Sequence, residues 1–109
     1  MFGPGDAAVA PWAASIVAAV GREIATSGRD SNLLVTGYTD SVKAGPARPG
    51  FNQALSETRA RQVAQILVAA GVPAQHIGVV GKSDADPLAD NGTPDGRARN
   101  RRVEVTVSD

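Results

Sequence analysis

The chain has 109 residues, with 11 Lys+Arg, 11 Asp+Glu, one His and no Cys. That length fits a single domain over residues 1–109, and 42% hydrophobic with 20% charged residues supports a packed core rather than a disordered chain. Zero net charge argues against nucleic-acid binding by a basic surface, and the lack of Cys removes a disulfide framework, a thiol nucleophile and a His/Cys zinc site.

The opening stretch MFGPGDAAVAPWAASIVAAVGREIA is rich in Ala and Val. It has no basic start, and Pro4, Asp6 and Pro11 interrupt it, so it suits neither a signal peptide nor a membrane span. Work outside the cytoplasm would need a leader upstream of Met1. The stretch reads as an amphipathic core helix with Pro11 at its first position. Trp12, Ile16, Val20 and Ile24 recur every four residues, which predicts the buried stripe, and Gly28 is the stop. A brief strand at Met1–Phe2 fits the pattern.

Residues 32–38 (NLLVTGY) read as a strand, and 41–51 (SVKAGPARPGF) as a loop. Ser56 is the predicted N-cap of the second helix, with Leu55 and Ala60 at staple positions. Val63, Ile66, Leu67 and Ala70 supply its buried face, and Gly71 and Pro73 end it. Residues 76–81 (HIGVVG) read as a strand, followed by a polar loop with Pro87, Asn91 and Gly92. Thr93 and Pro94 open a short helix to about Arg99. In the closing RRVEVTV, Val103, Val105 and Val107 alternate with Glu104 and Thr106, a half-buried strand. There is no internal repeat. This order predicts an α+β or α/β sandwich with helices packed on one sheet.

Three features suit mere stability poorly. Counted from Ser56, Arg59 is the third helical residue, where a capping box wants Glu or Gln and the helix dipole disfavours a cation. There it would either receive a carboxylate beside the free helix N–H groups, or extend to solvent or a nearby Asp. On this placement, its removal should cost little stability. Asp40 follows the first long strand directly, either as a ligand group at a strand's C-terminal edge or as an Asx-turn residue. Arginines stand at 97, 99, 101 and 102. Arg101 shares the parity of the strand valines, which predicts a helix-facing charge in a structural ion pair, and Arg102 should face the other way. His76 is an ordinary strand-edge histidine without triad partners. Asp84, Asp86, Asp90 and Asp95 do not match a calcium loop, so no metal and no cofactor are expected.

Four pieces in order, MFGPGDAAV near the start, VTGYTDS at 35–41, FNQALSETRARQV at 51–63 and PLADNGTPDGRARNRRVEV at 87–105, resemble the OmpA-like peptidoglycan-binding domain. The layout is most similar to versions on type VI secretion membrane proteins of the TssL kind, with flagellar stator proteins of the MotB kind next. The resemblance implies a βαβαβ-type α+β sandwich with helices on one face of a mixed sheet. It implies a non-catalytic anchor, in the periplasm of a Gram-negative bacterium, that grips the diaminopimelate residue of the peptidoglycan stem peptide. Other envelope proteins would be further partners. The family's ligand-holding Asp and Arg fall on Asp40 and Arg59, its Asn on Asn52, and its Asn-Arg-Arg run on Asn100, Arg101 and Arg102. Thr39 and Arg102 join Asp40, Arg59 and Asn52 as the expected binding residues. Tyr38 stands where the family commonly has His, and position 54 lacks the aromatic of the secretion subgroup. A flagellar-stator or outer-membrane-protein anchor, or a module without ligand binding, is the alternative. A wall-modifying enzyme would need a metal site or an activated nucleophile, and the sequence offers neither pattern.

Overall fold

In a computed structural model, residues 2–3, 6–28, 30–40 and 50–108 are described. The elements are α1 (Pro11–Thr26), β1 (Asn32–Gly37), α2 (Phe51–Ala69), a 3-10 turn (Ala74–His76), β2 (Ile77–Gly81), α3 (Pro94–Asn100) and β3 (Val103–Ser108). The sheet order is β2-β1-β3. β1 and β2 run parallel, with Val35 opposite Val79, and α2 makes the crossover between them. β3 is antiparallel to β1, with Val35 opposite Val105. This is the predicted α+β sandwich on a mixed sheet. Phe2 lies outside any strand, and Met1 and most of the predicted 41–51 loop lie outside the described residues.

The core is Phe2, Val17, Leu33, Val35, Ala60, Val63, Leu67, Val72 and Val103. Leu33 and Val35 share one face of β1 and meet α2, whereas Leu34, on the other face, is exposed. α2 crosses β1 so closely that a Cβ on Gly37 would collide with the Ser56 carbonyl oxygen. Only glycine permits that approach.

Two sequence expectations need correction. The buried face of α1 is Ala13, Val17 and Gly21, whereas Trp12 and Ile16 are 62% and 57% exposed. A Cβ on Gly21 would lie 2.8 Å from the Ala70 Cβ. The small residues let α1 and α2 approach, and that rotation turns Trp12, Ile16 and Val20 outward, while Ile24, the last of the predicted stripe, still packs against the core. The second correction is the start of α2. The helix begins at Phe51 behind Gly50, whose φ of 76° is left-handed, with no side-chain cap. Ser56 is therefore interior and fully buried. Its hydroxyl donates to the Gln53 carbonyl at 2.8 Å and accepts from the Ser83 N–H at 3.1 Å, tying α2 to the segment after β2. The cap at Thr93 forms as expected, its hydroxyl accepting from the Gly96 N–H at 3.0 Å.

Candidate functional site

β1 ends at Gly37 and hands on to Tyr38, Thr39 and Asp40, all three buried. The chain stays extended because its neighbours continue the ladder. The Tyr38 N–H donates to the Arg102 carbonyl at 2.8 Å and the Thr39 N–H to the Ser83 carbonyl at 2.7 Å. The Thr39 hydroxyl donates to the Asp40 carbonyl at 2.9 Å. The Asp40 carboxylate is thereby held at the C-terminal end of β1.

Arg101 meets it there. Its Nη1 donates to Asp40 Oδ2 at 2.9 Å, and both side chains are 11% exposed. Its Nε donates to the Phe2 carbonyl at 2.8 Å. Arg101 caps the C-terminus of α3 rather than lying in β3, and its side chain reaches back over the chain start. Asn100 beside it is fully buried. The Asn100 Oδ1 accepts from Leu88 N and Ala89 N, and its Nδ2 donates to Ala89 O and Asn91 Oδ1. That residue secures the loop before α3 and so the placement of Arg101.

Arg59 is the ninth residue of α2, far from the free N–H groups of the helix start, so the dipole-assisted receptor expected from the sequence is absent. It is fully buried. Nε donates to the Asp6 carbonyl at 2.8 Å, Nη2 to the Gly3 carbonyl at 3.0 Å and Nη1 to the Tyr38 carbonyl at 3.2 Å. The Phe2 ring lies 4.9 Å from the guanidinium carbon. Burial pushes the Arg59 guanidinium down to about 10; Asp40 opposes the shift, Arg101 adds to it and Asp6 opposes it. Arg59 remains a cation at neutral pH, but one whose direct partners are neutral carbonyls.

Arg102 turns to the opposite face of the sheet. Its guanidinium stacks on the Tyr38 ring at 3.9 Å. Nη2 lies 3.0 Å from Glu104 Oε2 and donates to the Asp86 carbonyl at 2.9 Å. Nη1 is buried with no hydrogen-bond partner among the described residues. Desolvation and then the Glu104 carboxylate raise the Tyr38 hydroxyl above its usual value, while Arg102 pulls it back. Asn52 lies half-buried in the first turn of α2. The structure therefore gathers Thr39, Asp40, Arg59 and Arg101 around the chain start and sends Arg102 elsewhere. The carbonyls of Phe2, Gly3 and Asp6 had no signal in the sequence, because a backbone acceptor carries no residue identity. No group of three or more His, Cys, Asp or Glu among the described residues could hold a metal ion, and no described helix is long and apolar enough to cross a membrane.

A mixed sheet with helices on one face, and an acidic residue held between arginines where the central strand ends, define an OmpA-like α+β domain. Residues 1–101 match the OmpA family, and the chain belongs to it. It is 46% identical over 79 residues to the peptidoglycan-binding protein ArfA of Mycobacterium tuberculosis, covering 72% of this chain and 23% of that protein. Over 77 residues it is 48% identical to outer membrane porin F of Pseudomonas fluorescens, covering 71% of this chain and 22% of that one. The chain thus spans less than a quarter of the length of these curated relatives. Among solved structures, it resembles the cell wall anchor of the T6SS from Pseudomonas aeruginosa, with 32% identity and a TM-score of 0.76 over 96% of this chain and 72% of that one. The C-terminal domain of Helicobacter pylori MotB shares the fold at 20% identity, with a TM-score of 0.86 over 100% of this chain and 81% of that one.

Proposed function

We propose that this domain binds peptidoglycan without catalysing a reaction and anchors a larger envelope protein to the cell wall. Family membership and the peptidoglycan-binding relative support the class of ligand. The observation that carries the ligand chemistry is the charge balance at the end of β1. The Asp40 carboxylate pairs with Arg101 and its field reaches Arg59, so two guanidinium groups share it.

Meso-diaminopimelate carries an ammonium and a carboxylate on one carbon at its side-chain end. Asp40 takes the ammonium, and Arg59 takes the carboxylate through Nε and Nη2. Those two donors form the edge of a guanidinium that receives a carboxylate side-on, and neutral carbonyls of Gly3 and Asp6 now occupy it. A charged, bidentate acceptor makes hydrogen bonds about twice as strong as neutral ones, so it can displace them. Thr39 fixes the Asp40 backbone, and Asn52 joins the binding set from the first turn of α2, whereas Arg102, expected there from the sequence, is engaged with Tyr38 and Glu104 on the other face and has no part in it. The T6SS anchor among the structural neighbours favours a secretion complex as the parent, in the periplasm of a Gram-negative bacterium with other envelope proteins as partners.

The test is co-sedimentation with purified sacculi of diaminopimelate type and of lysine type. Wild type should pellet with the first and more weakly with the second, which lacks the side-chain carboxylate. Asp40→Asn should lose most binding to both. Arg59→Lys should retain only part of it, because an ammonium cannot make the bidentate contact. Equal pelleting with and without sacculi would overturn peptidoglycan binding, and equal affinity for both wall types would overturn diaminopimelate recognition.

A further inference from the structure

On the side of β1 away from β3, the sheet ends in β2, whose outer edge has no strand neighbour among the described residues. Its sequence, IGVVG, contains no charge and no proline, the devices by which proteins ordinarily blunt an exposed edge. Val79 and Val80 are 37% and 39% exposed. Over this edge α2 presents an outward row of Gln53, Glu57, Arg61 and Gln65, which lines a groove with a cavity of about 430 Å³ at its Ile77 end.

The row is self-complementary under an antiparallel two-fold. Reversed about its midpoint, Gln53 meets Gln65 and Glu57 meets Arg61. The strand below has the matching register. A Cβ on Gly81 would lie 2.5 Å from Glu57 Cγ, so Glu57 sits over Gly81. Arg61 shares a groove wall with Val79. We propose that β2 pairs antiparallel with β2 of a second copy of this chain, with the two Val80 residues opposite one another at the two-fold axis.

This register places Gly81 opposite Val79 of the second copy, and so brings Glu57 to the second copy's Arg61. Within one chain these two groups are 3.6 Å apart with side chains 40% and 61% exposed, and Gln53 Nε2 bridges Glu57 Oε1 and the Gly81 carbonyl at 3.0 and 2.8 Å, so pairing across the axis uses the second lone pair of that carbonyl and the solvent-facing side of both charges. The helices fit as well. α2 lies over β1 and β2 alike, so its axis falls about half a strand spacing inside the edge. With strands about 4.8 Å apart, the two α2 axes come to about 10 Å, the separation at which helices pack. The product is a continuous six-stranded sheet with no free β2 edge.

Sedimentation equilibrium on this chain tests the proposal. Wild type should show a monomer–dimer equilibrium, and Val80→Lys, which places two ammonium groups at the axis, should be monomeric, folded, and independent of concentration in its melting temperature, where that of wild type rises with concentration. Glu57→Arg and Arg61→Glu should each be monomeric alone, because each sets like charges against one another. Mixed in equal amounts, these two variants should form a one-to-one heterodimer. A monomeric wild type at every concentration overturns the proposal. So does a dimer that survives Val80→Lys, or a mixture of the two charge variants that stays monomeric.

Discussion

Arg59 and Arg102 solve the same problem on opposite faces of one sheet. Arg59, on the helix side, is completely enclosed, with three backbone carbonyls as direct partners. Arg102, on the open side, keeps a carboxylate partner in Glu104 and an aromatic surface in Tyr38. The enclosed cation pays for its burial in a lowered pKa, whereas the other keeps its counter-charge beside it in Glu104. The difference separates two uses of a buried charge. One latches the chain start to α2 and leaves its positive charge in search of a stronger acceptor. The other staples the end of β1 to β3.

The largest effect should come from breaking the latch. Arg59→Ala leaves three carbonyls without a donor and a hole beside Phe2, and should lower stability by about 4 kcal/mol. Chemical denaturation measures this, and a loss below about 1 kcal/mol would show that the carbonyls find water instead. This reverses the expectation drawn from a first-turn position. The sign of the pH effect follows from the same shift. The fold disfavours the charged form, so the cost is present below pH 10 and is relieved as pH rises from about 10 toward the ordinary arginine range.

A smaller loss should follow Arg101→Ala. It removes the close partner of a largely buried carboxylate, and about 3 kcal/mol is expected by denaturant titration. Replacing Asp40 as well should recover part of that loss, since the largely buried carboxylate that Arg101 paired is then gone too. A double variant no more stable than Arg101→Ala would mean that Asp40 is held mainly by other contacts.

The gentlest probe is Tyr38, the single tyrosine of the chain. Its ultraviolet ionisation midpoint should lie above 10 in the folded protein and return to about 10 in denaturant. Glu104→Gln should lower the folded midpoint, and Arg102→Ala should raise it. Because the folded pKa is raised, Tyr38 contributes stability that is present below pH 10 and lost as pH climbs through the folded value. A folded midpoint unmoved by either variant would break the description of the open-face stack.

Much of this architecture was legible in residue order. Pro11, Gly71 with Pro73, and Thr93 with Pro94 mark helix ends through backbone chemistry that acts locally. The alternation of Val103, Val105 and Val107 marks β3, because a strand shows its two faces at every second residue. Parity also pointed Arg102 to the open face, but Arg101 ends α3 outside the strand, so its place comes from the end of that helix and not from strand alternation. The errors fell where a local signal was ambiguous. Ser56 is a good cap residue by composition, yet it serves as an interior tie because α2 is already under way behind Gly50. Trp12, Ile16 and Val20 form a regular stripe, yet Gly21 and Ala13 decide which side of α1 meets α2.

The sequence by itself therefore determined the element order, the family and the charged residues at the end of β1, since caps, breakers, periodicity and motif are written in side chains along the chain. Only the tertiary structure decided what those charges touch. Arg59 binds carbonyls more than fifty residues away, and Arg101 reaches both Asp40 and the Phe2 carbonyl. Those partners are set by how closely α2 crosses β1 at Gly37 and where Phe2, Gly3 and Asp6 lie against the core, and no local propensity encodes either distance.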